Sequence, residues 1–225
     1  MDHLFVILIC SVFPIFTFYQ IRSLKSHSNE KLKIRMFWKM CALYWIFAIP
    51  IMLLYPIFTA APADSIPFWF VIVCQVAGIL LVASDFLPIL LVSFNTELRD
   101  KLQEQFKENN FIYPETRREQ LGFVFVAITV GICEEIMFRS FMYEYIKEHL
   151  SLGALWSLII ASIIFALGHY IQGIGGVIVS LVLGLFLGTL YIWGGTLLAP
   201  ILVHILFDLK IVIMSVLLKK RTDSP

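Results

Sequence analysis

The stretch Gly131-Ile132-Cys133-Glu134-Glu135-Ile136-Met137-Phe138-Arg139 sets two acids and a base inside an apolar run that reaches from residue 120 to 146. A charged side chain at the centre of a bilayer costs roughly 2.5–3.5 kcal/mol on insertion scales. Outward from this run the chain stays apolar: of 225 residues, 60% are hydrophobic and 15% charged, and mean hydropathy is +0.87. A soluble domain carries roughly 45–50% apolar and about 25% charged residues. The expected fold is therefore all-α, a polytopic transmembrane helical bundle. A spanning helix needs about 20 mostly apolar residues, and seven segments qualify: 4–21, 40–59, 67–94, 120–146, 154–171, 174–193 and 197–218.

The 17 Lys and Arg are unevenly placed. Arg22, Lys25, Lys31, Lys33, Arg35 and Lys39 form one group, Arg99, Lys101, Lys107, Arg117 and Arg118 a second, and Lys219, Lys220 and Arg221 a third. With seven spans all three groups share a side, and the loops near 60–66, 149–153 and 194–196 carry none. The positive-inside rule then puts the N-terminus outside and the C-terminus in the cytoplasm. The first apolar run lacks a basic leader and a small-x-small cleavage site before Arg22, and reads as a retained span. Cys10, Cys41, Cys74 and Cys133 show no metal or redox spacing and read as small buried hydrophobes. The net charge of +1 gives no footprint for nucleic acid.

Residues 95–119 are the longest polar stretch. Leu98, Leu102 and Phe106 recur at i, i+4 and i+8 among charges, which predicts an amphipathic helix on the cytoplasmic interface, ended by Asn109-Asn110 and Pro114. This linker divides a three-span scaffold (1–94) from a four-span core (120–218), with a tail at 219–225. Gly184 and Gly188 form a G-x-x-x-G pair suited to close helix packing.

Most intramembrane polar residues lie in the core. Neighbouring helical residues point about 100° apart, so Glu134 and Glu135 are expected to do different work. Glu135 and Arg139 stand at i, i+4 with the acid first, the favoured order for an ion pair. Glu134 has only Met137 and Phe138 at i+3 and i+4, and must look to another helix or a wet cavity, where a carboxylate can act as a general base. His169 closes an apolar run, and His204 and Asp208 lie one turn apart on one face. Two Glu and two His make a water-activating or a metal-binding cluster. Asp85, near Pro88, is a weaker candidate at a kink. Lys210 can snorkel to the cytoplasmic end of its span, and Glu144, Glu148 and His149 fall at the external end. Metalloprotease, serine-hydrolase, P-loop and dinucleotide motifs are absent.

The ordered series Glu-Glu-x-x-x-Arg (Glu134, Glu135, Arg139), Phe-x-x-x-His (Phe165, His169) and His-x-x-x-Asp (His204, Asp208) resembles the CPBP (Abi) family over residues 118–210. That family includes type II CAAX prenyl endopeptidases and bacteriocin-processing proteases. Phe138-Arg139-Ser140-Phe141 and Gly195-Thr196-Leu197-Leu198-Ala199-Pro200-Ile201 fit the same pattern, while Asp208 stands where the family often has Asn. The resemblance implies an intramembrane endopeptidase acting on a membrane-associated or prenylated peptide or protein precursor. It implies that Glu134 and His169 activate a water, that His204 and Asp208 bind the scissile carbonyl and stabilise its oxyanion, and that Glu135 and Arg139 support the catalytic helix. No cofactor is required in this reading; the alternative is Zn2+ held by Glu134, His169 and His204. A multi-pass protein of a bacterial cell membrane, in contact with lipid, is the expected setting.

Two rival readings follow from the same residues. One is a non-proteolytic immunity or membrane scaffold protein of the same family. The other is an ion-coupled transporter, since intramembrane Glu and His also mark proton relays, although the halves show no internal repeat. The hydropathy limits put Glu134 mid-membrane, His169 toward the cytoplasmic end and His204 toward the outer half. The spans must break or shift for these groups to meet, and the glycines at 168–176 are the places for it.

Overall fold

The computed structural model describes residues 2–27, 29–55 and 66–219. Among them the order is α1 (Asp2–His27), α2 (Glu30–Leu54), α3 (Phe68–Leu91), α4 (Thr96–Glu108), α5 (Arg117–Glu134), a π-helical segment (Glu135–Met142), α6 (Tyr143–His149), α7 (Ala154–Leu167), a 3-10 turn (Tyr170–Gln172), α8 (Gly173–Gly194) and α9 (Leu198–Lys219). Six helical segments are long and apolar enough to cross a membrane, the longest being the 33-residue rod Arg117–His149. The 14-residue α7 spans only about 21 Å at 1.5 Å per residue, short of the ~30 Å hydrocarbon core. Leu53 and Ile174 are 79% and 77% exposed on outward faces, as a lipid-facing surface requires. The chain is an integral membrane protein.

Several boundaries differ from the hydropathy reading. The second span begins at Glu30 instead of residue 40, because Asn29 caps the helix by accepting from the Leu32 amide. Lys33, counted among loop cations, is instead 3% exposed and paired with Glu119 at 3.3 Å. That carboxylate also accepts from the Thr116 amide and completes a capping box at the start of α5. One acid thus ties α2 to the first turn of α5. The fifth span ends at Leu167 instead of residue 171, where the chain breaks at Gly168 and re-enters a helix through Gly173 at φ +79°. The loop near 60–66 falls largely outside the described residues, as do Lys220 and Arg221 in the tail. Cys41, Cys74 and Cys133 are buried, but Cys10 is exposed on the outside of α1.

The polar stretch docks on protein. Arg99 is buried, and its guanidinium donates to the Leu217 and Leu218 carbonyls at 3.2 and 2.8 Å. Gln103 donates to Leu218 as well. The orphan carbonyls at the end of α9 are thereby satisfied by a cation, the favourable sign at a helix C-terminus. Leu102 and Phe106 pack beside Val92, Met214 and Leu218. Lys210 pairs with Asp85 of α3, and its ammonium lies 3.5 Å from the Phe207 ring centroid.

Glycine sets the helix spacing in the core. A Cβ on Gly188 would fall 2.2 Å from Leu158 Cδ1, and one on Gly184 3.2 Å from Ser162 Cβ, so the G-x-x-x-G face of α8 lies directly against α7. Gly131 does the same for α5 and α9: a Cβ there would lie 2.6 Å from Ile205 Cγ1 and 3.1 Å from the Ile205 nitrogen.

Candidate active site

The close approach at Gly131 brings the next turn of its rod against α9. His204, 3% exposed, meets both glutamates. Its Nδ1 lies 2.6 Å from Glu135 Oε1, and its Nε2 lies 3.7 Å from Glu134 Oε2. Two adjacent acids on a regular α-helix would diverge by about 100°. Here the π-helical segment begins at Glu135, and its wider turn separates consecutive side chains by less. The two carboxylates flank one imidazole at different nitrogens and have different further partners.

Glu135 is fully buried and its Oε1 also pairs with Arg139 Nη1 at 2.9 Å, as the spacing predicts. The Arg139 guanidinium lies 4.3 Å from the Phe165 ring centroid, a cation–π contact in a water-poor setting. Arg139, Glu135 and His204 therefore form a buried line in which the carboxylate orients the imidazole and the arginine offsets the carboxylate's charge. Breaking such a pair by removing one partner costs about 3–5 kcal/mol.

Glu134 has a partner that sequence reasoning missed. Tyr44, on α2, donates its hydroxyl to Glu134 Oε1 at 2.6 Å. Oε2 of Glu134 is buried with no hydrogen-bond partner among the described residues. A buried carboxylate oxygen left unpaired demands an explanation, and this one lies 3.7 Å from His204 Nε2. Hydrogen bonds of about 2.8 Å from a single water to both atoms fit their 3.7 Å separation. Asp208 Oδ2 stands 3.9 Å from His204 Nε2, and its side chain, 28% exposed, opens the cluster outward.

His169 does not touch these groups. It lies at the break after α7, half-buried, with Nδ1 3.0 Å from the Phe165 carbonyl. The Phe165 ring is what the two histidines share, with centroids 4.8 Å from His169 and 6.2 Å from His204. The zinc set Glu134, His169 and His204 does not assemble: among the described residues no three His, Cys, Asp or Glu side chains converge as metal ligands.

The fold and this cluster define a class: a polytopic helical membrane protein with a carboxylate–imidazole centre buried between its spans. Residues 117–210 match the family described as type II CAAX prenyl endopeptidase Rce1-like, and so carry every member of the centre except Tyr44. Intramembrane CAAX-type protease activity is what that family implies in general. No curated protein and no solved structure matches the chain.

Proposed function

We propose that this chain is an intramembrane endopeptidase that hydrolyses a peptide bond of a membrane-associated or prenylated precursor without a metal. The unpaired Glu134 Oε2 beside His204 Nε2 carries the reading. Water held there attacks the scissile carbonyl carbon and gives a proton to Glu134, forming a tetrahedral oxyanion. To stabilise that oxyanion, His204 must bear a proton on Nε2 as well as Nδ1; Glu135, fixed by Arg139, holds the Nδ1 side. Glu134 then returns its proton to the amide nitrogen as the C–N bond breaks, leaving an amine and a carboxylic acid, whose remaining proton passes to the amine or to solvent. Asp208 and His169 line the open side of the centre, where substrate would lie. Tyr44 positions the base by holding its other oxygen. We also propose that the basic end of the bundle faces the cytoplasm of a bacterial cell.

The test compares membrane-associated and released peptides from cells carrying wild type or Glu134→Gln at matched expression. The substitution keeps the size and removes the base, and loss of a general base lowers the rate by about 10²–10⁴-fold. A precursor that accumulates only in the variant, with the wild-type product insensitive to a chelator, supports the reading. Identical peptide profiles with a folded variant would favour the immunity or scaffold role.

A further inference from the structure

Lys31, Arg35 and Lys39 lie at i, i+4 and i+8 on the outward face of α2, all exposed. None has an ion pair among the described residues, unlike their buried neighbour Lys33. Like charges at this spacing repel and weaken a helix, so a row of three without an acid calls for an external anion. Arg118, on the first turn of α5, closes the other side of a groove that also includes Trp38 and Ala42. Glu30 is the one acid there, 4.0 Å from Arg118. Counting Lys31, Arg35, Lys39 and Arg118 against Glu30 leaves a net charge of +3.

Below the cations the groove turns apolar. Trp38 is 55% exposed and its ring lies 5.7 Å from that of Phe125 on α5. Further along, Ile46 on α2 and Ile128 on α5 are 65% and 39% exposed. Cations, then an aromatic at the boundary, then a furrow between two aliphatic faces follow the profile of a phospholipid from headgroup to acyl chain. We propose that this α2–α5 groove binds one anionic phospholipid, its phosphate among Lys31, Arg35, Lys39 and Arg118, and its chains along Ala42, Ile46 and Ile128. The two helices are those that carry Tyr44 and Glu134, so a lipid here braces the pair that holds the base.

Native mass spectrometry of the delipidated protein in neutral detergent, titrated with phosphatidylglycerol or phosphatidylcholine, tests the site. Wild type is expected to take up one phosphatidylglycerol in preference to phosphatidylcholine. In Lys31→Gln/Arg35→Gln/Lys39→Gln that preference is expected to fall roughly tenfold to 100-fold. Arg22→Gln/Lys101→Gln/Lys107→Gln, which removes as much charge outside the groove, is expected to keep it. Equal uptake of the two lipids by wild type overturns the proposal whatever the variants do, as does an equal loss in the control variant. Full displacement of the lipid by millimolar inorganic phosphate overturns it in favour of a free anion, and retention of the lipid supports it.

Discussion

The atoms around Glu134 divide its carboxylate into two unlike halves. Oε1 accepts from Tyr44 at 2.6 Å, while Oε2 is left without a partner next to His204. A hydrogen bond to a charged acceptor contributes about 1.5–3 kcal/mol, which both orients the group and holds it where the chemistry is proposed. Tyr44→Phe is accordingly expected to lower kcat about tenfold with KM little changed, since the contact is to the base and not to substrate. It should have no further effect in a Glu134→Gln background, and a steady-state double-mutant cycle measures this. Full activity in Tyr44→Phe would reduce the tyrosine to packing. The sequence offered little to find it: an aromatic in an apolar span reads as core, and Tyr44 is 90 residues from its partner. Glu134, Glu135, Arg139, His204 and Asp208 were legible because charge inside an apolar run is costly and their order repeats a known series. That His204 would touch both acids was not, because the 100° rule holds for an α-helix and the chain turns π-helical at Glu135.

Among the elements, the α5–α9 contact decides whether a centre exists. Gly131 precedes Glu134 by one turn and lets α9 approach until a Cβ would stand 3.1 Å from backbone. Gly131→Leu should push the helices apart and withdraw His204 from both glutamates. Overpacking of this kind costs about 1–3 kcal/mol, so a lower Tm and loss of proteolysis are expected together. Gly175→Leu, at a glycine whose Cβ would meet nothing within 4 Å, is the control and should keep both. If Gly131→Leu were as stable and active as wild type, the close approach would not be what positions the histidine. The helix boundaries were less readable than the helices themselves. Hydropathy sees only where the apolar run begins, so it started α2 at residue 40. The Asn29 cap and the pairing of Lys33 with Glu119 carry the helix ten residues further into charged sequence. The amphipathic pattern of 95–119 predicted a helix, and α4 is there, but the pattern cannot say whether lipid or the end of α9 covers its apolar side.

At the scale of the whole molecule, the two ends of the bundle differ in chemistry. One end gathers Lys25, which lies over the Phe111 ring, the Lys33–Glu119 pair, and Arg99 on the last carbonyls of α9. At the other end Asp2 accepts from Tyr55, which follows α2, and faces His149 at the end of α6. Burial and the bond to Asp2 push the Tyr55 phenol up to about 12. Because Asp2 begins α1 and Lys219 ends α9, the described helices carry the chain from the acidic end to the basic one. The positive-inside rule assigns the basic end to the cytoplasm. In a cysteine-free background, Glu148→Cys should react with a membrane-impermeant maleimide in intact cells, whereas Lys101→Cys should react only after permeabilisation. The reverse labelling would invert the protein, and with it the leaflet from which the α2–α5 groove draws its lipid. Labelling of both positions in intact cells would mean that the two ends do not lie on opposite faces of the membrane, and the six long helices could not all be spans.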